Sequence, residues 1–371
     1  MILELRRRGR PSPLFQALSP LIALALTCVL GSILFLALGK SPAAAFHAYF
    51  IEPLSQAWSV HELLVKAAPL ILIGTGLAIA FRSGNWNIGA EGQFVAGGIV
   101  GSFVPVMFPD LSTPVLLPLA LVMGIAGGAA YAAIPATLKV RFGANEILTS
   151  LMLVYVAQLF LDWLVRGPWR DPGGYGFPGT KTFDASALLP DIVSSGPYGG
   201  NAHYGFILAL FVVLIVGFVA GRTLKGFEIA VLGESPRAGR FAGFDAGRMT
   251  MFAFLVSGGL AGLAGIAEVA GNVDKLDENL SLGYGFTAII VAFLGRLNPY
   301  GVLLAGLLLA LSYLGGEAAQ VSLGVSDKVA SVFQGMLLFL VLATDTLIWY
   351  RVRLRFGRPI EDGRTAKAGE A

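Results

Sequence analysis

Apolar residues along this chain fall into long blocks separated by short polar breaks, with no sustained alternation that would suggest strands. A helix rises about 1.5 Å per residue and a bilayer core is about 30 Å thick, so a crossing helix takes about 20 apolar residues. On that measure ten blocks stand out, with cores near 21–38, 63–81, 88–107, 115–138, 147–165, 206–220, 251–270, 284–294, 302–314 and 329–348. The eighth and ninth are short, which predicts tilted, broken or re-entrant segments. The expected fold is all-α: a polytopic integral membrane protein of about ten transmembrane helices.

Composition agrees. Of 371 residues 56% are hydrophobic and 13% charged, against about 25% charged in a soluble domain. The 48 glycines suit helices that approach closely in lipid. Cys28 is the single cysteine, so neither an internal disulfide nor a cysteine metal site is expected. The start resembles a secretory signal, with basic residues, an apolar run and Ala43 to Ala45 behind it. Its apolar run exceeds the usual length of about 7–15 residues, so an uncleaved first helix is expected.

Net charge is only +3, and its distribution carries more. If the cluster of Arg6, Arg7, Arg8 and Arg10 stays in the cytoplasm, alternate polar segments are cytoplasmic too. Those segments hold 19 of the 26 basic residues, a bias that predicts both termini inside and an even number of spans. The chain then divides into a basic N-terminus (1–20), a permeation domain (21–348) and a cytoplasmic tail (349–371). Within the domain, the Gly/Pro/Asp-rich stretch 166–203 lies outside and the stretch 222–248 lies inside. In the latter, Ser235 and Pro236 read as N-cap and first position of a short helix ending near Gly243. A weak echo links "RFGANEIL" (141–148) with "SLGVSDKV" (322–329), one inside and one outside. That is the relation expected of two inverted repeats; chance likeness of two helix starts is the alternative.

Several chemistries are missing. No G-x-x-x-x-G-K-[ST] loop exists to hold ATP, and "GYGFTA" (283–288) lies in an apolar run with no strand before it. His47, His61 and His203 form no H-E-x-x-H, so no metal, catalytic constellation or nucleic-acid partner is expected. Polar residues inside apolar blocks carry more weight, since an unpaired polar group in lipid costs several kcal/mol. Asn87, Glu91 and Gln93 at the third block and Glu268 near the end of the seventh are candidates for a solute pathway. Helix-to-helix hydrogen bonding is the competing role. Lys66 reads as a snorkelling cation, and Asn145 with Glu146 as a helix start.

The stretch "FRSGNWNIGAEGQFVAGG" (81–98) resembles the signature of permease subunits from bacterial ABC importers of the nucleoside and simple-sugar branch. That large family also includes ribose and branched-chain amino acid permeases. "GANEILTSLMLVYVA" (143–157), "VLGESPRAGRFAGFD" (231–245), "SGGLAGLAGIAEVAG" (257–271) and "GYGFTAIIVAFLGRLNPYG" (283–301) are similar to its other stretches, in its order. The run Asn87 to Gly92 favours the nucleoside-type branch, while Val154 stands where these permeases often have Asn.

The resemblance implies a non-enzymatic transport subunit in the bacterial cytoplasmic membrane, with no cofactor of its own. ATP would be bound by a cytoplasmic ABC ATPase; a second permease subunit and an extracytoplasmic binding protein would complete the assembly around a small-molecule substrate. The loop with Glu234, Ser235, Pro236, Arg237, Arg240 and Phe241 is similar to the coupling helix that docks on the ATPase. An ion-gradient-driven secondary transporter is the rival reading; it gives no special reason for that loop.

Overall fold

The structure, a computed structural model, describes residues 2–7, 13–109, 111–193, 200–280, 282–326 and 328–355. Thirteen helices follow one another among them: α1 (Pro13–Ala37), α2 (Pro42–Phe46), α3 (Ala57–Arg82), α4 (Ala90–Met107), α5 (Leu116–Phe142), α6 (Glu146–Arg166), α7 (Gly205–Arg222), α8 (Leu224–Glu234), α9 (Pro236–Phe241), α10 (Ala246–Glu268), α11 (Tyr284–Leu294), α12 (Pro299–Leu323) and α13 (Lys328–Trp349). Seven described helices are long and apolar enough to cross a membrane. With α4, α11 and α13 they coincide with the ten apolar blocks of the sequence. The ninth block is a difference: α12 is a full 25 residues. Its second half contains Gly315, Gly316 and Glu317, which dilute the apolar signal while the helix continues, with Gly315 set against the Tyr49 backbone.

Local sequence sets the boundaries. The Asn145 side chain accepts from the N–H groups of Ile147 and Leu148 and starts α6; Asn298 followed by Pro299 starts α12. Gly143 and Gly324 end α5 and α12 in the left-handed conformation, at φ 66° and 62°, where a side chain is strained. The two echoing stretches therefore share one helix-ending device, although Asp327 of the second lies outside the described residues.

The core runs through α3 and α10. Of the apolar window in α3, 89% is buried, against 28% in α5 and in α6, whose remaining faces are left for lipid. α4, α5 and α10 cross at glycines. A methyl group built on Gly262 would stand 2.8 Å from the Gly128 Cα, and one on Gly97 would overlap the Gly262 backbone. Only hydrogen atoms fit there, which is how membrane helices gain contact without a hydrophobic driving force.

Two further features organise the ends. The loop after α6 folds back on the chain after α10: Thr180 N–H donates to the Leu276 carbonyl (2.9 Å), Phe183 N–H to Asp274 (2.8 Å) and Leu189 N–H to Ala270 (2.7 Å). Beneath it His203 is buried with its Nδ1 accepting from Gly205 N–H at 3.1 Å, and burial pushes its pKa down to about 4. At the other end, β1 (Ile2–Arg7) pairs antiparallel with β2 (Tyr350–Arg355), Ile2 opposite Arg355. The sequence pattern leaves both as tails; the pairing brings the terminal segments to the same end of the bundle. The tail beyond Arg355 lies outside the described residues.

Candidate functional site

The stretch 81–98 folds as a tight break between two helices. α3 ends at Arg82, Gly84 takes φ 76°, and Asn85 N–H returns to the Ala80 carbonyl at 3.0 Å. Trp86 stacks beside Phe81 and Phe293 with ring centroids 5.3 and 6.1 Å away. The chain then re-enters the interior, and Asn85, Asn87, Glu91 and Gln93 are all buried.

These four residues make three separate arrangements. Asn87 and Gln93 face each other as a reciprocal amide pair: Asn87 Nδ2 donates to Gln93 Oε1 (2.8 Å), and Gln93 Nε2 donates to Asn87 Oδ1 (2.9 Å). Asn87 Nδ2 also donates to Ser257 Oγ on α10 at 3.0 Å. Glu91 turns elsewhere. Its carboxylate accepts from Gly283 N–H at 3.0 Å and from Gly285 N–H, across the start of α11. A short helix begins with unsatisfied N–H groups and a positive dipole end, so a carboxylate from another helix caps it. α11 has 11 residues and spans about 16 Å, so its N-terminus lies within the bundle, beside that of α4. Asn85 accepts from Lys139 Nζ (2.9 Å), which also pairs with Glu146 Oε1 at 2.6 Å.

Glu268 belongs to none of these. It lies eleven residues beyond Ser257 on α10, about 16 Å along the axis. Its Oε1 accepts from Asn272 Nδ2 at 2.7 Å, and its Oε2 has no hydrogen-bond partner among the described residues. Lys66 bonds Glu317 at 3.0 Å near one end of the bundle. Val154 is buried, and a methyl group on Gly92 would come within 2.9 Å of its Cα, so it forms part of the α4–α6 contact.

The helix foreseen at Ser235–Pro236 is α9. Ser235 Oγ accepts from Ala238 N–H at 3.4 Å and Gly239 is buried against Leu232. Glu234, Ser235, Pro236, Arg237, Arg240 and Phe241 are all exposed, Phe241 to 96% of its surface. Just before this loop, Gly233 abuts the Arg82 carbonyl, so the end of α8 rests on the break between α3 and α4. Behind it Asp245 caps α10; the N–H groups of Arg248 and Gly247 hold its carboxyl below the usual carboxylate range.

Sequence reasoning missed Ser150, Ser257, Thr287, Tyr313 and Gln334. Ser150 Oγ accepts from Ile88 N–H at 3.2 Å, and Thr287 Oγ1 lies 2.8 Å from the Tyr313 hydroxyl. The available signal was a lone polar side chain inside an apolar block, strongest for Gln334.

Known proteins are similar to this chain in sequence along nearly its whole length. The chain is 34% identical over 358 residues to the glucose ABC transporter permease protein TsgB13 of Haloferax volcanii, covering 95% of this chain and 93% of that one. It is 30% identical to the nucleoside ABC transporter permease protein NupB of Lactococcus lactis, over 88% of this chain and 90% of that protein. The guanosine ABC transporter permease protein NupP of Bacillus subtilis is also 30% identical, over 93% and 97% of the two chains. The family described as branched-chain amino acid transport system / permease component matches residues 59–342. A multi-pass helical bundle matched over that span places the chain in this family of transport permeases.

Proposed function

We propose that this chain is the membrane permease of an ATP-binding-cassette importer that carries a nucleoside or related simple sugar across the cytoplasmic membrane by alternating access. Supporting the substrate class are the nucleoside, guanosine and glucose permeases to which the chain is similar over most of its length. Energy comes from a cytoplasmic ABC ATPase that binds ATP, since the chain carries no phosphate-binding loop. A second permease, identical or paralogous, and an extracytoplasmic binding protein complete the assembly. Both termini are cytoplasmic, in keeping with the basic segments.

The observation that carries the mechanism is α9. A six-residue helix that holds a phenylalanine 96% exposed beside two exposed arginines is built for a partner rather than for this chain's own core. Its motion passes through Gly233 to the Arg82 carbonyl and into the break before α4, where Asn87, Gln93 and Ser257 tie α4 to α10. Rocking α9 therefore pulls on the helix pair that carries the interior polar groups. Asn87, Glu91, Gln93 and Glu268 line or brace the solute pathway in this reading.

The double substitution Arg237→Glu with Arg240→Glu tests it. Like charges across an interface cost several kcal/mol, and about 1.4 kcal/mol is tenfold in affinity. Uptake is expected to fall more than tenfold with wild-type amounts of protein in the membrane. Normal uptake in that variant counts against coupling through α9.

A further inference from the structure

The bundle contains two kinds of buried polar cluster. In the Asn87–Gln93–Ser257 group the amide groups engage each other at 2.8 and 2.9 Å, and none of the three side chains carries an unpartnered buried atom. Such a group is a lock between helices. The second cluster, on α11, α12 and α13, is incomplete. Thr287 Oγ1 lies 2.8 Å from the Tyr313 hydroxyl and donates to Gln334 Oε1 at 3.4 Å. Gln334 is 4% exposed, yet its Nε2 has no partner among the described residues. Tyr284 packs edge-on against Tyr313, ring centroids 5.9 Å apart at 65°. It also packs edge-on against Phe94, whose carbonyl abuts Gly265, one turn before Glu268 on α10; Glu268 is 2% exposed and its Oε2 is also unpartnered.

Helix-to-helix bonding accounts for the Thr287–Tyr313 pair. It accounts for neither the free amide donor nor the free carboxylate oxygen. A buried polar group without a partner is costly, more so when charged, and this bundle carries both costs in one neighbourhood. A ligand that supplies one acceptor and one donor removes them together.

We infer that Gln334, Thr287, Tyr313, Tyr284 and Glu268 form a solute-contact site for a neutral ring compound bearing hydroxyl or ring N–H groups. Gln334 Nε2 donates to a hydroxyl or carbonyl oxygen of the solute, and Glu268 Oε2 accepts from a hydroxyl or ring N–H. The two tyrosine rings give the solute's flat ring an aromatic wall. None of the five side chains supplies a positive charge for a phosphate, so the site admits a nucleoside and rejects the corresponding nucleotide. This assignment rests on the transport reading above and names the residues that give it chemical selectivity.

The test is direct binding of tritiated guanosine to the full chain purified into lipid nanodiscs, without binding protein, beside guanosine uptake in cells. The wild type is expected to bind guanosine saturably, and unlabelled GMP to compete at least tenfold more weakly than unlabelled guanosine. Gln334→Leu and Glu268→Leu are expected to weaken binding about tenfold or more, while the R237E/R240E protein binds as the wild type does. Gln334→Glu, which replaces the amide donor at nearly constant shape, is expected to lose binding and serves if Q334L does not fold. Uptake in cells together with no binding by the wild type, or with equal binding by wild type, Q334L and Q334E, overturns the site and leaves the transport reading standing. Absence of uptake of any nucleoside or sugar by the wild type overturns the transport reading and the site with it.

Discussion

Replacing Gly262 by Leu is expected to leave almost no folded protein in the membrane. The residue sits where α10 crosses α5, with the Gly124 carbonyl and the Gly128 Cα standing where its side chain would go, and with Gly97 of α4 on the same backbone. Overpacking a core costs about 1–3 kcal/mol when neighbours can shift rotamers. Here the obstacles are backbone atoms of α5, so relief requires moving a whole helix. In lipid, close approach of the backbones is the main attraction between such helices, and a leucine side chain forbids it. Expression as a fluorescent fusion followed by size exclusion reads the result: a monodisperse peak for wild type and a missing or aggregated one for Gly262→Leu. Gly221, around which nothing stands within 4 Å, is the control and is expected to accept Ala without loss of folded protein.

Replacing Glu91 by Leu is expected to destabilise the protein by about 2–6 kcal/mol, from two buried N–H groups each left unpaired at about 1–3 kcal/mol. The groups are those of Gly283 and Gly285, and the segment affected is the start of α11. Glu91→Gln keeps an acceptor oxygen and loses the charge assistance, so its loss should be about half as large. Thermal unfolding of the purified chain in one detergent orders the three proteins as wild type, E91Q, E91L. An E91L protein as stable as the wild type contradicts the capping role.

Much of the scaffold was legible because a membrane helix announces itself by length and apolarity alone. The ten blocks, the Asn145 cap and the short helix after Ser235 each follow from a local signal within a few residues. What escaped depends on which helices face each other. Glu91 meets Gly283 and Gly285 across more than 190 positions of sequence, and no periodicity in either segment records that pairing. For the same reason Asn87 and Gln93 read as companions of Glu91, whereas in the fold they bond each other, and Asn87 bonds Ser257 of α10. The length of α12 was hidden by glycines that serve close packing and lower the apolar average. Gln334 was visible as a polar interruption of an apolar block, but its significance depends on Thr287 and Tyr313, which only the fold brings to it.

The central claim is that this chain passes nucleosides or simple sugars using a partner's ATP. Uptake of radiolabelled guanosine, adenosine, uridine and ribose into cells with and without the gene tests it most directly, under ATP depletion and, separately, under a protonophore with ATP maintained. The account predicts that deletion removes uptake of at least one probe, that ATP depletion removes the same uptake, and that the protonophore spares it. Uptake that survives ATP depletion and collapses with the protonophore would show gradient-driven transport and contradict the account.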